Sequence, residues 1–224
     1  MTIIDSNVVG LRSQMFLLDQ LSDGLNQIGI PFSARQSDQL EAYCCLIQKW
    51  NQSYNLVADC RFDALLTRHL FDCLSALPFV AVEPNNHVLD VGSGAGLPGI
   101  PWAIFHPESH FTLLDSNGKK TRFLFHAKLA LELENVSIEK SRVEYYQPKE
   151  PLDIVTCRAF ASLRCTTKQV SSLMKCQTRL VAFKGQFPAT ELADLPNAIE
   201  ALDIQKVNVP SLQEERHLVT LVKT

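Results

Sequence analysis

Val88-Leu89-Asp90-Val91-Gly92-Ser93-Gly94-Ala95-Gly96-Leu97-Pro98-Gly99 decides how this chain is read. β-formers lead into an acid, four glycines follow within eight residues, and an apolar helical pattern comes next. Glycines at this density let the backbone turn sharply after a strand and approach a ligand closely. An acid at the strand end and backbone N–H groups beyond it suit a nucleotide-like cofactor.

Two ligand classes fit. Gly94-x-Gly96-x-x-Gly99 matches the dinucleotide fingerprint, in which a helix N-terminus meets a pyrophosphate. Asp90-x-Gly92-x-Gly94-x-Gly96 matches the glycine loop of S-adenosylmethionine (SAM) methyltransferases, where close backbone approach replaces an anion cradle. A glycine-rich turn that binds nothing is the plain alternative.

Outward from the loop, the chain alternates strand and helix. Strands are expected at His87–Val91, Phe111–Asp115, Val136–Glu139, Leu152–Arg158, Thr178–Lys184, Asp203–Val209 and His217–Lys223. Helices are expected at Leu97–Phe105, Gly118–Leu133, Ser162–Lys175 and Ala189–Ala201. Such alternation implies a mostly parallel sheet with helices on both faces. Only about seven residues separate the last two strands, too few for a crossover helix, so they should form an antiparallel hairpin. That ending favours the SAM reading over the dinucleotide one. Before Pro84 the pattern is helical. Leu11, Met15, Leu18, Leu21, Leu25 and Ile28 recur at helical spacing until Gly29-Ile30-Pro31. Ser37 or Asp38 can cap a second helix through Trp50, and a third, about Phe62 to Leu77, ends at Pro78.

The chain has 224 residues, 46% hydrophobic and 20% charged, enough for one α/β domain with an extension. No apolar run reaches the length of a membrane span, and Met1–Asp5 carries no secretion signal. Seven cysteines, none in Cys-x-x-Cys spacing, read as free thiols of a reducing cytoplasm, without a metal site. The net charge of −3 is unevenly spread. Residues 87–190 hold 13 Lys/Arg against 9 Asp/Glu, so the segment with the glycine loop is basic and can present phosphate-binding surface.

In open α/β sheets, ligands sit beyond the carboxyl ends of the strands. Asp90 and Gly92–Gly96 follow the first strand. Asp115-Ser116 ends the second, where a carboxylate can accept both hydroxyls of a ribose or cap the next helix. Arg142-Val143-Glu144 follows the third, Arg158 ends the fourth and Lys184-Gly185-Gln186 the fifth. Cations at two neighbouring strand ends suggest an anionic ligand or RNA; ion pairs along the sheet rim are the alternative. His69, beside Arg68 and one turn from Asp72, can be a general base, a phosphate contact or a satisfied helix histidine. No Ser–His–Asp or paired-carboxylate arrangement is present, nor an Asn-Pro-Pro-Tyr-type motif. Guanine N7 carries no proton and can attack a sulfonium methyl directly when held in line. Arginine suits contacts to guanine and phosphate.

Several motifs together resemble the bacterial small-subunit rRNA guanine-N7 methyltransferases, the glucose-inhibited division protein B family. They are Lys49-Trp50-Asn51 with Tyr54-Asn55-Leu56, Arg68-His69-Leu70-Phe71-Asp72, the glycine loop continued as Ile100-Pro101, and Leu113-Leu114-Asp115-Ser116 with Gly118-Lys119-Lys120. Ser141-Arg142-Val143-Glu144, Arg158-Ala159-Phe160-Ala161-Ser162-Leu163, Lys184-Gly185-Gln186 and Glu215-Arg216-His217-Leu218 complete them. The resemblance runs from about Ile30 to the C-terminus. Val57 stands where the family commonly has Thr, and Glu214 where it has Gly.

The resemblance implies a class I SAM-dependent methyltransferase fold: α/β, Rossmann-like, with a seven-stranded mostly parallel sheet and a C-terminal antiparallel hairpin. An N-terminal helical region over residues 1–84 precedes a SAM-binding domain over 85–224, the first 20 or so residues being an extension without catalytic role. It implies a cytoplasmic, monomeric enzyme acting on 16S rRNA of the small ribosomal subunit, near the decoding region, without membrane or metal. The cofactor would be held by Asp90, Gly92, Gly94, Gly96, Leu97, Asp115, Ser116, Val143, Glu144 and Arg158. Arg158 would also close the site, and Arg68, His69, Lys184 and Arg216 would reach RNA or the target base. An NAD-dependent oxidoreductase and a non-catalytic RNA-binding regulator are the alternatives.

Overall fold

The computed structural model describes residues 19–158 and 162–224. The expected helical positions Leu11, Met15 and Leu18, and Ala159-Phe160-Ala161 of the Arg158 motif, lie outside them. Helix α1 occupies 19–28 and closes at Gly29, whose φ is 79°. Helix α2, Ala34–Tyr54, starts earlier than expected. Its cap is Ser33, paired with Gln36 in a reciprocal capping box, rather than Ser37 or Asp38. Helix α3 spans 62–74, and its middle, Leu65–Phe71, winds as π-helix.

Seven strands follow: β1 (His87–Val91), β2 (His110–Leu114), β3 (Val136–Glu139), β4 (Ile154–Cys157), β5 (Arg179–Lys184), β6 (Ile199–Lys206) and β7 (His217–Lys223). They form one sheet in the order β3-β2-β1-β4-β5-β7-β6. The four pairings that join β1 to β5 are parallel, and β7 runs antiparallel to both β5 and β6. Between the strands lie α4 (Gly99–Phe105), α5 (Gly118–Ala130), α6 (Leu163–Val170) and α7 (Ala189–Ala193). The expected helix at Ala189–Ala201 therefore stops at Ala193, and its last three positions belong to β6. That strand borders the sheet and is exposed along most of its length, so no apolar alternation marks it.

Alternate strand residues divide the interior into two cores. Val88, Phe111, Leu113, Ile154 and Val181 face α2 to α5, together with Leu21 and Leu25 of α1. Leu89, Val91, Val155, Leu180 and Val219 face α6 and the 143–152 segment. The N-terminal helices thus share a core with one whole face of the sheet. Trp102 is central to it: fully buried, it donates its indole N–H to the Cys73 carbonyl at 2.9 Å. Among the described residues no helix is long and apolar enough to cross a membrane.

Removing the indole leaves a large void and takes the shorter of two donors from the Cys73 carbonyl in α3. Trp102→Ala is expected to destabilise the protein by about 3–5 kcal/mol in urea unfolding. A smaller loss than for an ordinary buried leucine would show that α3 is not held through this contact.

Candidate functional site

The carboxyl ends of β1 to β5 carry two adjoining arrangements. The first is built on the glycine loop. Gly92, Gly94 and Gly96 all have positive φ, from 59° to 90°, so the loop turns back over the strand end in a form that other residues strain to adopt. Besides backbone bonds within the loop and to Leu114, four hydrogen bonds involving side chains hold it. Ser93 Oγ donates to the Asp90 carbonyl at 2.8 Å, and Gly94 N–H to Asp115 Oδ2 at 2.9 Å. The buried Tyr43 hydroxyl of α2 donates to the Ala95 carbonyl at 2.6 Å, and Gly99 N–H to Asp90 Oδ2 at 3.1 Å. Asp90 therefore lies beneath the loop and holds the first turn of α4. A Cβ at Gly99 would overlap Leu113 and stand 2.8 Å from that carboxylate, which is why glycine is needed there.

Asp90 Oδ1 is buried and accepts no hydrogen bond. Burial pushes the Asp90 carboxyl up to about 7. Asp115 is nearly as buried, and its two oxygens each accept one backbone N–H, from Gly94 and from Asn117. Each oxygen keeps acceptor capacity for a further donor. Asp115 is not the helix cap it was weighed as: Asn117 caps α5, accepting from Lys119 N–H at 2.9 Å. A cavity of about 200 Å³ opens beside these groups, bounded by Gly92, Asp115, Ser116, Val143, Glu144 and Gln169 among others. Five expected cofactor positions thus meet in one cavity, with Gly94 and Gly96 in the loop above it and Leu97 buried behind.

The second arrangement centres on Asp72, in α3. Its carboxylate is clamped between Arg158 Nε and Arg216 Nε, each at 3.0 Å. Arg158 also donates from Nη2 to the Arg68 carbonyl at 2.7 Å and to His69 Nδ1 at 2.9 Å, and from Nη1 to Cys73 Sγ at 3.5 Å. A guanidinium can only donate, so His69 Nδ1 accepts and the imidazole proton resides on Nε2. Burial, then the Arg158 charge, lowers His69 to about 4. His69 is therefore a neutral support for Arg158, and its Nδ1 lone pair is occupied. Burial raises the Asp72 carboxyl, and the two guanidiniums oppose that rise.

The other expected cations are paired as well. Arg68 Nη2 meets Glu214 Oε1 at 2.7 Å, so the glutamate that departs from the family pattern neutralises a neighbouring arginine. Lys184 Nζ meets Glu191 Oε2 at 2.7 Å, and the same oxygen accepts Leu163 N–H at 2.6 Å. The strand-end cations thus form rim ion pairs in this structure. Two groups at the site lie outside the expected residues: Tyr43 of α2 and Gln169 on the cavity wall. Among the described residues no group of three metal-ligating side chains gathers.

Residues 36–219 match the GidB family, described as rRNA small subunit methyltransferase G. The chain is 47% identical over 203 residues to Ribosomal RNA small subunit methyltransferase G of Ectopseudomonas mendocina (strain ymp), a match covering 91% of this chain and 94% of that one. Among solved structures, a SAM dependent methyltransferase from Aquifex aeolicus aligns with a TM-score of 0.54 at 17% identity, covering 71% of this chain and 93% of that one. A SAM-dependent methyltransferase from Thiobacillus denitrificans in complex with S-adenosyl-L-homocysteine aligns at 0.51 and 10% identity, covering 68% and 91%. These likenesses place the fold among methyltransferases, and the family match selects that reading of the glycine loop over the dinucleotide one.

Two outcomes are expected. An acid whose value in the fold lies above its unfolded value favours the protonated fold. Its cost is absent below about pH 4, grows up to about pH 7 and is constant above. Asp90→Asn should therefore gain on the parent between pH 5 and pH 8, by roughly 2–4 kcal/mol in urea unfolding of the ligand-free protein. A difference that does not change with pH would show that Asp90 ionises normally. Arg158→Ala should lower kcat at least ~100-fold. Asp72 loses one of its two cations, so stability should also fall, by about 3 kcal/mol. Near-normal turnover would remove Arg158 from the site.

Proposed function

The chain belongs to the GidB family, rRNA small subunit methyltransferase G, and from that premise we propose that it transfers a methyl group from SAM to N7 of a guanine in 16S rRNA, near the decoding region of the small subunit. The observation that carries the reading is the pairing of a nucleoside-shaped cradle with a neighbouring cluster that offers no general base. The Asp115 oxygens retain acceptor capacity for the two hydroxyls of a ribose. Val143 offers an apolar wall for adenine beside Glu144. The unpartnered Asp90 Oδ1 is an open acceptor under the loop, of the kind a cationic amine completes. These groups fit SAM, and they leave no pyrophosphate-binding role for the loop. SAM, when bound, supplies an electrophilic methyl on a sulfonium.

The chain's own residues orient rather than move protons. His69 is held neutral with its Nδ1 lone pair taken, and the acceptor needs no base, because guanine N7 is unprotonated. Arg158 is fixed by Asp72, the Arg68 carbonyl and His69, which leaves one Nη1 hydrogen undonated among the described residues. In this reading that hydrogen donates to guanine O6 while N7 stays free for in-line attack. Burial around Arg158 and Asp72 excludes water from the reacting centre.

The test is methyl transfer from labelled SAM to small subunits from a strain lacking this protein, followed by digestion and nucleoside mass spectrometry. A single 7-methylguanosine appearing only with enzyme is expected. Label in another nucleoside, or none in RNA despite tight SAM binding, would overturn the assignment.

A further inference from the structure

The cations at the catalytic end are largely neutralised in place. Arg68, Arg158, Arg216 and Lys184 face Glu214, Asp72 and Glu191, so four cations meet three carboxylates. They leave little charge to hold a phosphate backbone. Cations without such partners gather elsewhere, along an open groove of about 860 Å³ between α5 and the end of β3.

Lys119, Arg122 and Lys140 line this groove, all exposed, and none has a carboxylate within 4.0 Å among the described residues. Gly118 eases their convergence: a Cβ there would stand 3.2 Å from Lys140 Nζ, a tight contact that the missing side chain avoids. One turn beyond Arg122 and nearly two beyond Lys119, Phe125 stands 56% exposed in the groove wall, although a phenyl ring normally seeks the core. The groove adjoins the cofactor cavity. Asn117 follows Asp115-Ser116 of that cavity, and Lys140 precedes its Ser141-Arg142.

We propose that this groove grips an unpaired segment of the acceptor RNA, with phosphates on Lys119, Arg122 and Lys140 and a base stacked on Phe125. The assignment rests on the reading of the enzyme as an RNA methyltransferase. Uncompensated cations around one exposed aromatic face are the equipment of single-strand recognition, in which charge tracks the backbone and a ring accepts any base. A protein partner would be expected to meet its own counter-charges and a wider apolar face. The net charge of the chain is −3, so phosphate binding must come from a local concentration of cations such as this one.

The experiment measures binding of the full chain to deproteinised 16S rRNA over a range of salt, beside SAM titration and methyl transfer. The triple variant Lys119→Gln, Arg122→Gln, Lys140→Gln is expected to bind RNA ~10–100-fold more weakly, with a log–log salt slope smaller by about 2–3, and to bind SAM as the parent does. Phe125→Ala should weaken RNA binding ~5–100-fold without changing the slope, and Phe125→Trp should restore it. Unchanged RNA affinity and slope in the triple variant would overturn the proposal. Intact binding of naked RNA with reduced methylation of whole subunits would also overturn it, by assigning the face to a ribosomal protein. A parent chain that binds RNA through these residues yet methylates none of it would keep the groove and sink the reaction.

Discussion

The carboxylate of Asp72, clamped between two guanidiniums, is the interaction on which the working end of the molecule depends. It comes from α3, Arg158 follows β4, and Arg216 stands just before β7. Its ion pairs join the N-terminal helices, the parallel half of the sheet and the antiparallel hairpin at one point. A buried ion pair is poor evidence of stability, since desolvating the charges costs about what their attraction returns. Its value here is geometric. Two arginines that share one carboxylate cannot drift independently, and the Arg158 Nη2 donors are fixed by the Arg68 carbonyl and His69. The π-helical winding of Leu65–Phe71 belongs to the same device, because it sets the register that brings Arg68, His69 and Asp72 to one guanidinium.

The cofactor loop is held from the same side. Tyr43 reaches it from α2 and Trp102 ties the following helix to α3, so the N-terminal helices, which look separable in the sequence, hold both arrangements of the site. The loop cannot support itself. Its glycines are chosen for backbone freedom and carry no packing of their own, so besides the Gly92 and Ser93 N–H bonds to the Leu114 carbonyl it needs constraint from side chains elsewhere. The Tyr43 hydroxyl and the Asp115 carboxylate supply it, one from each side of the loop.

What was legible in the sequence follows from how local each signal is. β1, β3 and β7 begin and end where the residue pattern places them, and the glycine loop, Asp115 and Val143-Glu144 meet in one cavity as their strand-end positions require. β6 was obscured, because Ile199-Glu200-Ala201-Leu202 is a helix-forming run that becomes a strand only through pairing with β7. The Ser33-x-x-Gln36 capping box was readable and was passed over for later polar residues. The π-turn and the Tyr43–Ala95 bond were not readable. A period of 3.6 does not announce a wider helix, and a hydroxyl 52 positions from its acceptor leaves no local trace. The ion partners of Arg158 and Lys184 were hidden for the same reason, although Asp72 stood in the motif beside His69.

Asp90 shows how the site trades stability for binding. A carboxylate 1% exposed, with one oxygen donated to by Gly99 and the other by nothing, is an expensive way to anchor a helix turn; a serine or asparagine would satisfy the same N–H without a charge. On the proposed reading the second oxygen is completed when the site fills. The cost is then carried by the empty protein and recovered on binding, so ligand and fold stabilise one another. Arg158 contributes to this coupling, because its charge acts on Asp90 and favours the ionised form. The two halves of the site therefore communicate through a field as well as through packing: the guanidinium anchored by Asp72 prepares the carboxylate under the glycine loop to meet a cation.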